Sequence, residues 1–318
     1  MSSITTSPGP VAVIDIGSNS IKLLVATRDP AGRLQELLQH TKETRIGSGI
    51  TGNPPHLGAA AMAQAITALQ ALLATAAACT PATVRLVATS AVRDAANGAE
   101  FAARVRESTG HSLDILSGSE EARLIGRGIA CESMLRDVPA FYVFDLGGGS
   151  LEALAFRGGR VEQAVSLQLG CVRVTEACVQ DPTQPLSAGE ANHIRTLVDR
   201  LVAESGFRFD LPPEAIAVAT GGTATTVRTM RAAAWGRALA VESPVLAVTE
   251  LRRFCAQISE LPLHERRRLP GLPEARADVF PAAMVTLIEM ARLASVDALR
   301  HSLYNLRYGL ASELLGVA

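Results

Sequence analysis

Two ten-residue stretches, 130 positions apart, constrain this chain more than any other feature. Val13-Ile14-Asp15-Ile16-Gly17-Ser18-Asn19-Ser20-Ile21-Lys22 and Val143-Phe144-Asp145-Leu146-Gly147-Gly148-Gly149-Ser150-Leu151-Glu152 share one pattern of apolar, Asp, Gly and Ser positions. Each is an apolar run ending in Asp, a turn of small residues, and a second apolar run, at 21–26 and 154–156. That is the pattern of strand, tight turn and strand. Recurrence at a fixed offset marks an internal duplication of half the chain. A length of 318 residues, at roughly 100 to 200 residues per domain, also suggests two domains. The division is expected as 1–124 and 125–318, with the halves joined closely near residues 118–128 because no low-complexity linker intervenes.

The remaining pattern is that of an α/β protein. Met62, Ile66, Leu69, Leu73 and Ala76 recur at helical spacing after Pro54 and Pro55. A buried strand at 84–88, a polar turn at 93–97, a helix at 101–107, a strand at 113–116 and a helix from about Ser119 follow. Ser187 with Glu190 has capping-box spacing ahead of Ile194, Leu197, Val198 and Leu201. A strand at 215–219 leads through Thr220-Gly221-Gly222-Thr223 into another helix. The C-terminal third reads as helical, with periodic stretches at 251–258, 276–294 and 303–315 around a basic, Pro-containing segment at 264–273.

Composition sets the function classes. A chain that is 48% hydrophobic and 19% charged can bury a large core. Thirty basic against 31 acidic side chains, net −1, leave no footprint for nucleic acid or an anionic membrane, so an anionic partner must be met locally. No run approaches the about 18 uninterrupted apolar residues of a spanning helix, and the first ten residues lack the marks of a signal peptide. The expected location is the cytoplasm. Five cysteines without a C-x-x-C pair read as reduced core thiols.

An Asp at the end of a buried strand, beside a Gly and Ser turn, sets a carboxylate next to several backbone N–H groups with little side-chain bulk. Such a turn can wrap a phosphate, and the Asp can hold a hard divalent ion through oxygen. Two such turns facing each other would make a phosphate-binding cleft between domains. Gly221, Gly222 and Thr223 add a third turn at a helix N-terminus, where an anion is favoured, although such a connection taken alone is more often structural. Glu120 and Glu121 begin a helix after Ser117; adjacent residues point about 100° apart, so one of them is expected to face the cleft. Both could instead simply complement the helix dipole. Arg93, just after a strand, could fork onto phosphate oxygens or form a surface ion pair.

Together, the stretches 13–25, 88–98, 117–125, 144–152, 167–173, 219–224 and 306–309 resemble the exopolyphosphatase and guanosine pentaphosphate phosphohydrolase family, in order and along nearly the whole chain. The resemblance implies a duplicated actin-like (ribonuclease H-like) α/β fold. It implies Mg²⁺ or another divalent cation as cofactor, hydrolysis of a terminal phosphoanhydride, and inorganic polyphosphate or guanosine pentaphosphate as substrate. A homodimer is implied as well. By position in the motifs, Glu121 matches the carboxylate that activates water, Asp145 and Glu152 the acidic groups around the metal, and Arg93 a phosphate-binding arginine. Asp15, Gly17, Ser18, Asn19 and Ser20 match the first phosphate turn; Gly147, Gly148, Gly149 and Ser150 match the second.

The sequence also departs from the family. Leu151 stands where Thr is usual, removing a hydroxyl, and Ala282-Ala283 fall where Gly is common. At 318 residues the chain is expected to be without the further C-terminal domains of long members, and it resembles the short, two-domain branch. Lys22, Arg45 and the basic segment with Arg266, Arg267 and Arg268 are additional candidates for phosphate contact, the last for a polyphosphate tail. A kinase on the same fold would require ATP and an acceptor pocket, and a non-catalytic binding module would be expected to lose the acidic set.

Overall fold

The computed structural model describes residues 9–50 and 54–317. The expectation about a leader rests mainly on residues 1–8, which lie outside that range. The chain forms two compact units, residues 1–133 with 304–318, and residues 134–303.

In the first unit, β1 (Val11–Ile16) turns back as β2 (Ser20–Arg28) and β3 (Leu34–Glu43), and α1 (Ala59–Ala77) leads to β4 (Thr83–Ala88). Then come α2 (Ser90–Asp94), α3 (Gly98–Thr109), β5 (Leu113–Ile115) and α4 (Gly118–Ala130). The strand order is β3-β2-β1-β4-β5, with β2 antiparallel and β4 parallel to β1. The central strand β1 is almost wholly buried, which is why it reads as a continuous apolar run rather than an alternating one. The expected polar turn at 93–97 is in part the short helix α2, because β4 runs straight into a helical turn that places Arg93 in its last residues. The half-exposed strand β3 has no counterpart in the sequence reading; its mostly polar residues hide the strand periodicity.

Helix α1 is long and apolar enough on average to cross a bilayer, although Gln64, Thr67, Gln70 and Thr75 interrupt its apolar run as expected. Its Met62, Ala65, Leu69, Leu72 and Ala76 are buried with Ile14, Ile21 and Leu23 in the core of the first unit.

The second unit repeats the plan. Its strands are β6 (Ala140–Leu146), β7 (Leu151–Arg157), β8 (Arg160–Leu167), β9 (Ile216–Gly221), β10 (Val245–Ala247) and β11 (Ala298–His301). Its helices are α5 (Cys171–Cys178), α6 (Ala188–Ser205), α7 (Gly222–Ala234), α8 (Val248–Ser259), α9 (Leu263–Arg266) and α10 (Phe280–Leu293). The order β10-β11-β9-β6-β7-β8 contains β9-β6-β7-β8, the counterpart of β4-β1-β2-β3. The duplication extends to register: Asp15 lies opposite Lys22 and Asp145 opposite Glu152. The capping box at Ser187 and Glu190 forms as expected at the start of α6, whereas β10 and β11 interrupt a third that reads as helical. All five cysteines are free.

The chain then returns to the first unit as α11 (Leu306–Leu315). The division at 124/125 is therefore corrected at both ends. α4 belongs wholly to the first unit, and so does the last helix, because the two pack backbone to backbone. A Cβ at Gly128 would collide with the Asn305 carbonyl, and one at Gly309 with the Leu124 carbonyl. Around this crossing Arg127 donates to Ser312 Oγ at 2.7 Å and to the Val317 carbonyl at 2.8 Å. Arg307 donates to the Leu23 carbonyl on β2 at 3.3 Å. Gly309→Ala must force the helices apart, at a cost of about 1–3 kcal/mol, and should lower the melting temperature by roughly 4–10 °C. An unchanged thermal transition would contradict this packing.

Candidate active site

The first hairpin turn is held from one side. Gly17 N–H donates to the Ser20 carbonyl at 3.1 Å, while the Ser18 carbonyl accepts from Gly47 N–H at 2.9 Å. The Asn19 carbonyl accepts from Thr44 and Arg45 N–H at 3.1 and 3.0 Å. Ser18, Asn19 and Ser20 are all buried. Asp15 Oδ1, Ser18 Oγ, Asn19 Oδ1 and Thr44 Oγ1 are buried without a hydrogen-bond partner in the protein. Four such oxygens in and beside one turn form a concentrated polar lining, and buried groups of this kind are ordinarily met by water, an ion or a ligand. Burial pushes the Asp15 carboxyl above the usual carboxylate range, with Lys22 and Arg307 pulling the other way.

The same unit resolves the choice between the paired glutamates. Ser117 Oγ accepts from Glu120 N–H at 3.2 Å, and Glu120 accepts in return from Ser117 N–H at 2.9 Å. This capping box at the start of α4 holds the Glu120 carboxyl low, through its hydrogen bonds to Ser117. Glu121, turned about 100° away, is buried and accepts from Arg93 Nη1 at 2.8 Å. Arg93 also donates to the Leu116 carbonyl at 3.1 Å and lies 3.5 Å from Asp94. Such a pair offers a base and a forked cation side by side, able to accept a proton from water and to donate to phosphoryl oxygens.

In the second unit, Gly147 N–H donates to the Ser150 carbonyl at 3.0 Å, repeating the first turn. The Gly147 and Gly148 carbonyls accept from Cys171 and Val172 N–H at 3.0 and 2.8 Å, at the start of α5. The Gly149 carbonyl accepts from Arg173 Nε at 3.0 Å. Ser150 is buried. Residues 171–173, within one of the stretches that carry the family resemblance, thus anchor the second turn.

Asp145 and Glu152 are cross-strand neighbours, which directs both carboxylates to one face of the sheet. Glu152 is buried and accepts from Ser166 Oγ at 2.7 Å, a partner the sequence did not signal. Leu151 faces the opposite way into the core, as do Ala282 and Ala283, so none of these departures falls among the acidic groups. Among the described residues, no group of three or more His, Cys, Asp or Glu side chains is arranged to hold a metal. The Asp145 and Glu152 pair nevertheless fits Mg²⁺, which commonly takes one or two carboxylates and fills its remaining positions with water and phosphate oxygens.

Gly221 has φ +90°, and a Cβ there would lie 2.7 Å from Asp145 Oδ1 and 2.6 Å from the Leu146 carbonyl. A side chain on Gly222 would collide with the Arg276 guanidinium. The third turn therefore carries Asp145 on one side and Arg276 on the other, with Thr223 buried as α7 begins. Arg276 reads in the sequence only as the start of a periodic stretch; its contact with Gly222 is a tertiary one. In the basic segment, Arg266 is buried and donates to the carbonyls of Ala277, Pro182 and Gln184 at 3.0, 2.6 and 2.9 Å. That guanidinium is committed to the fold, which corrects its candidacy for a polyphosphate tail.

Similarity to known proteins agrees with these features. The sequence profile of the Ppx/GppA phosphatase family matches residues 24–317. Exopolyphosphatase 2 of Mycobacterium tuberculosis is 30% identical over 321 residues, spanning 96% of this chain and 98% of that protein. The crystal structure of the Aquifex aeolicus Ppx/GppA family member has a TM-score of 0.77 at 26% identity, covering 97% of this chain and 98% of that one. An exopolyphosphatase from Cytophaga hutchinsonii has a TM-score of 0.86 at 23% identity, covering 97% and 99%, a likeness of fold. With its two mixed α/β sheets of duplicated topology and a match across nearly its whole length, this chain belongs to the Ppx/GppA phosphatase family.

Proposed function

We propose that this protein is an exopolyphosphatase that releases orthophosphate from the end of inorganic polyphosphate. The observation that carries this reading is the buried Glu121 held by Arg93 at 2.8 Å, in a helix whose other acidic residue is spent on its own cap. Phosphoanhydride hydrolysis asks little covalent chemistry of a protein; it needs a positioned water and neutralised charge. Glu121 takes the proton of the attacking water as its oxygen bonds to the terminal phosphorus. The bond to the bridging oxygen breaks, and the shortened polyphosphate leaves as an anion. Arg93 donates to the non-bridging oxygens. In the first unit the turn at 17–20, with Lys22 near it, carries hydroxyl and N–H groups of the kind that bind phosphate, and in the second unit so do the turns at 147–150 and 221–223, the latter beside Arg276. A divalent cation such as Mg²⁺, held by Asp145 and Glu152, would supply further charge neutralisation on phosphate oxygens.

Phosphate release from short and long polyphosphate, guanosine pentaphosphate and ATP, with Mg²⁺ present, tests the substrate. Polyphosphate cleavage supports the proposal, and release from the nucleotides alone overturns it. Glu121→Gln should lower kcat by about 100-fold or more with a smaller change in KM, and wild-type turnover in that variant would remove Glu121 from its role.

Asp15 should show a trade of stability for function. Burial raises its carboxyl pKa in the folded state, so the folded chain binds that proton more tightly than the unfolded one. Stability is then lost as pH rises through the unfolded carboxyl range, near about 3.9, to the folded value. Asp15→Asn should melt above wild type at pH 7, with the difference shrinking below about pH 3, while phosphate release falls by about tenfold or more. A variant that melts below wild type at pH 7 would contradict the assignment.

A further inference from the structure

We infer that His301 is a positioning residue, which sets the shape of the Gly221–Gly222 turn by acting through Thr225. His301 ends β11, where it pairs with Ala219 of β9, and it is buried. Arg228 Nη1 lies 2.8 Å from its Nδ1, and Thr225 Oγ1 lies 3.0 Å from its Nε2. A guanidinium can only donate, so Nδ1 is the acceptor and the ring carries its proton on Nε2. That N–H donates to Thr225 Oγ1, and the Thr225 hydroxyl donates to the Gly221 carbonyl at 2.9 Å. One cation thus dictates the sense of every hydrogen bond in the relay.

The far end of the relay is anchored. Arg228 Nη2 donates to the carbonyls of Leu239 and Glu242. Burial and the Arg228 charge push the His301 pKa down to about 3, which keeps the ring neutral and the direction unchanged at neutral pH. A threonine that bonds the carbonyl four residues back is common in helices. Here the hydroxyl also receives the imidazole N–H, and chained bonds polarise one another. The carbonyl they hold belongs to the residue at φ +90° that lies against Asp145, and the first N–H groups of α7 follow it directly. The aim of those groups is therefore set from His301, a side chain whose two ring nitrogens face Thr225 and Arg228 and which is not itself assigned to the chemistry. This rests on the proposed use of that turn for phosphate.

Amide hydrogen exchange and steady-state kinetics with long-chain inorganic polyphosphate test the relay together. His301→Ala and Thr225→Val should each speed exchange at residues 222–226 about tenfold, with little change elsewhere in the second unit, and Thr225→Ser should restore the wild-type rate. In the same variants KM should rise about five- to tenfold while kcat stays within about twofold. The double variant His301→Ala/Thr225→Val should be no worse than either single change, because both cut one chain. Unchanged exchange in both single variants, or a Thr225→Ser protein as impaired as Thr225→Val, overturns the inference. Should His301→Ala fail to fold, the Thr225 pair carries the exchange test with the ring in place. A wild-type protein that releases no phosphate would defeat the proposed activity, and exchange would still decide the relay.

Discussion

Both units are organised around a carboxylate placed at the end of a buried strand, beside a turn whose carbonyls are already taken. In the first unit residues 44–47 bind those carbonyls, and in the second the start of α5 does. Unrelated local structures do the same work twice. A tight turn of small residues is otherwise free to reorient, and its N–H groups would lose their direction. Anchoring the carbonyls leaves donors and hydroxyls as the side of each turn that faces outward from its anchor.

The two copies have then diverged at one cross-strand position. Opposite the strand-end Asp stands Lys22 in the first unit and Glu152 in the second. Directly opposed side chains share a face and interact, so the first pair is zwitterionic and suits an anion, while the second concentrates negative charge and suits a cation. Duplication supplies two similar scaffolds, and at this cross-strand position they differ by a change of charge sign.

Much of this was legible in the sequence because it is local. The repeated Asp, Gly and Ser pattern marks two hairpins, and the capping-box spacing of Ser187 and Glu190 marks the start of α6. Where the sequence left open which of Glu120 and Glu121 turns inward, the capping geometry decides. What escaped was tertiary. Ser166 reaches Glu152 only because β8 pairs with β7, and Arg276 reaches Gly222 from a turn that no periodicity distinguishes. β3 was hidden by its polar surface. The return of α11 to the first unit rests on two glycines, Gly128 and Gly309, whose lack of a side chain matters only once the helices cross.

That return gives the chain an unusual order of completion. Residues 134–303 form a continuous unit and can close as soon as they leave the ribosome, since domains generally fold as units during synthesis. The first unit cannot. α4, which carries Glu121, waits for its packing partner until residues 306–315 have been made. A nascent chain interrupted anywhere before α11 would hold Glu121 on a helix with an open flank, so the setting of that carboxylate is finished from a segment nearly two hundred residues away.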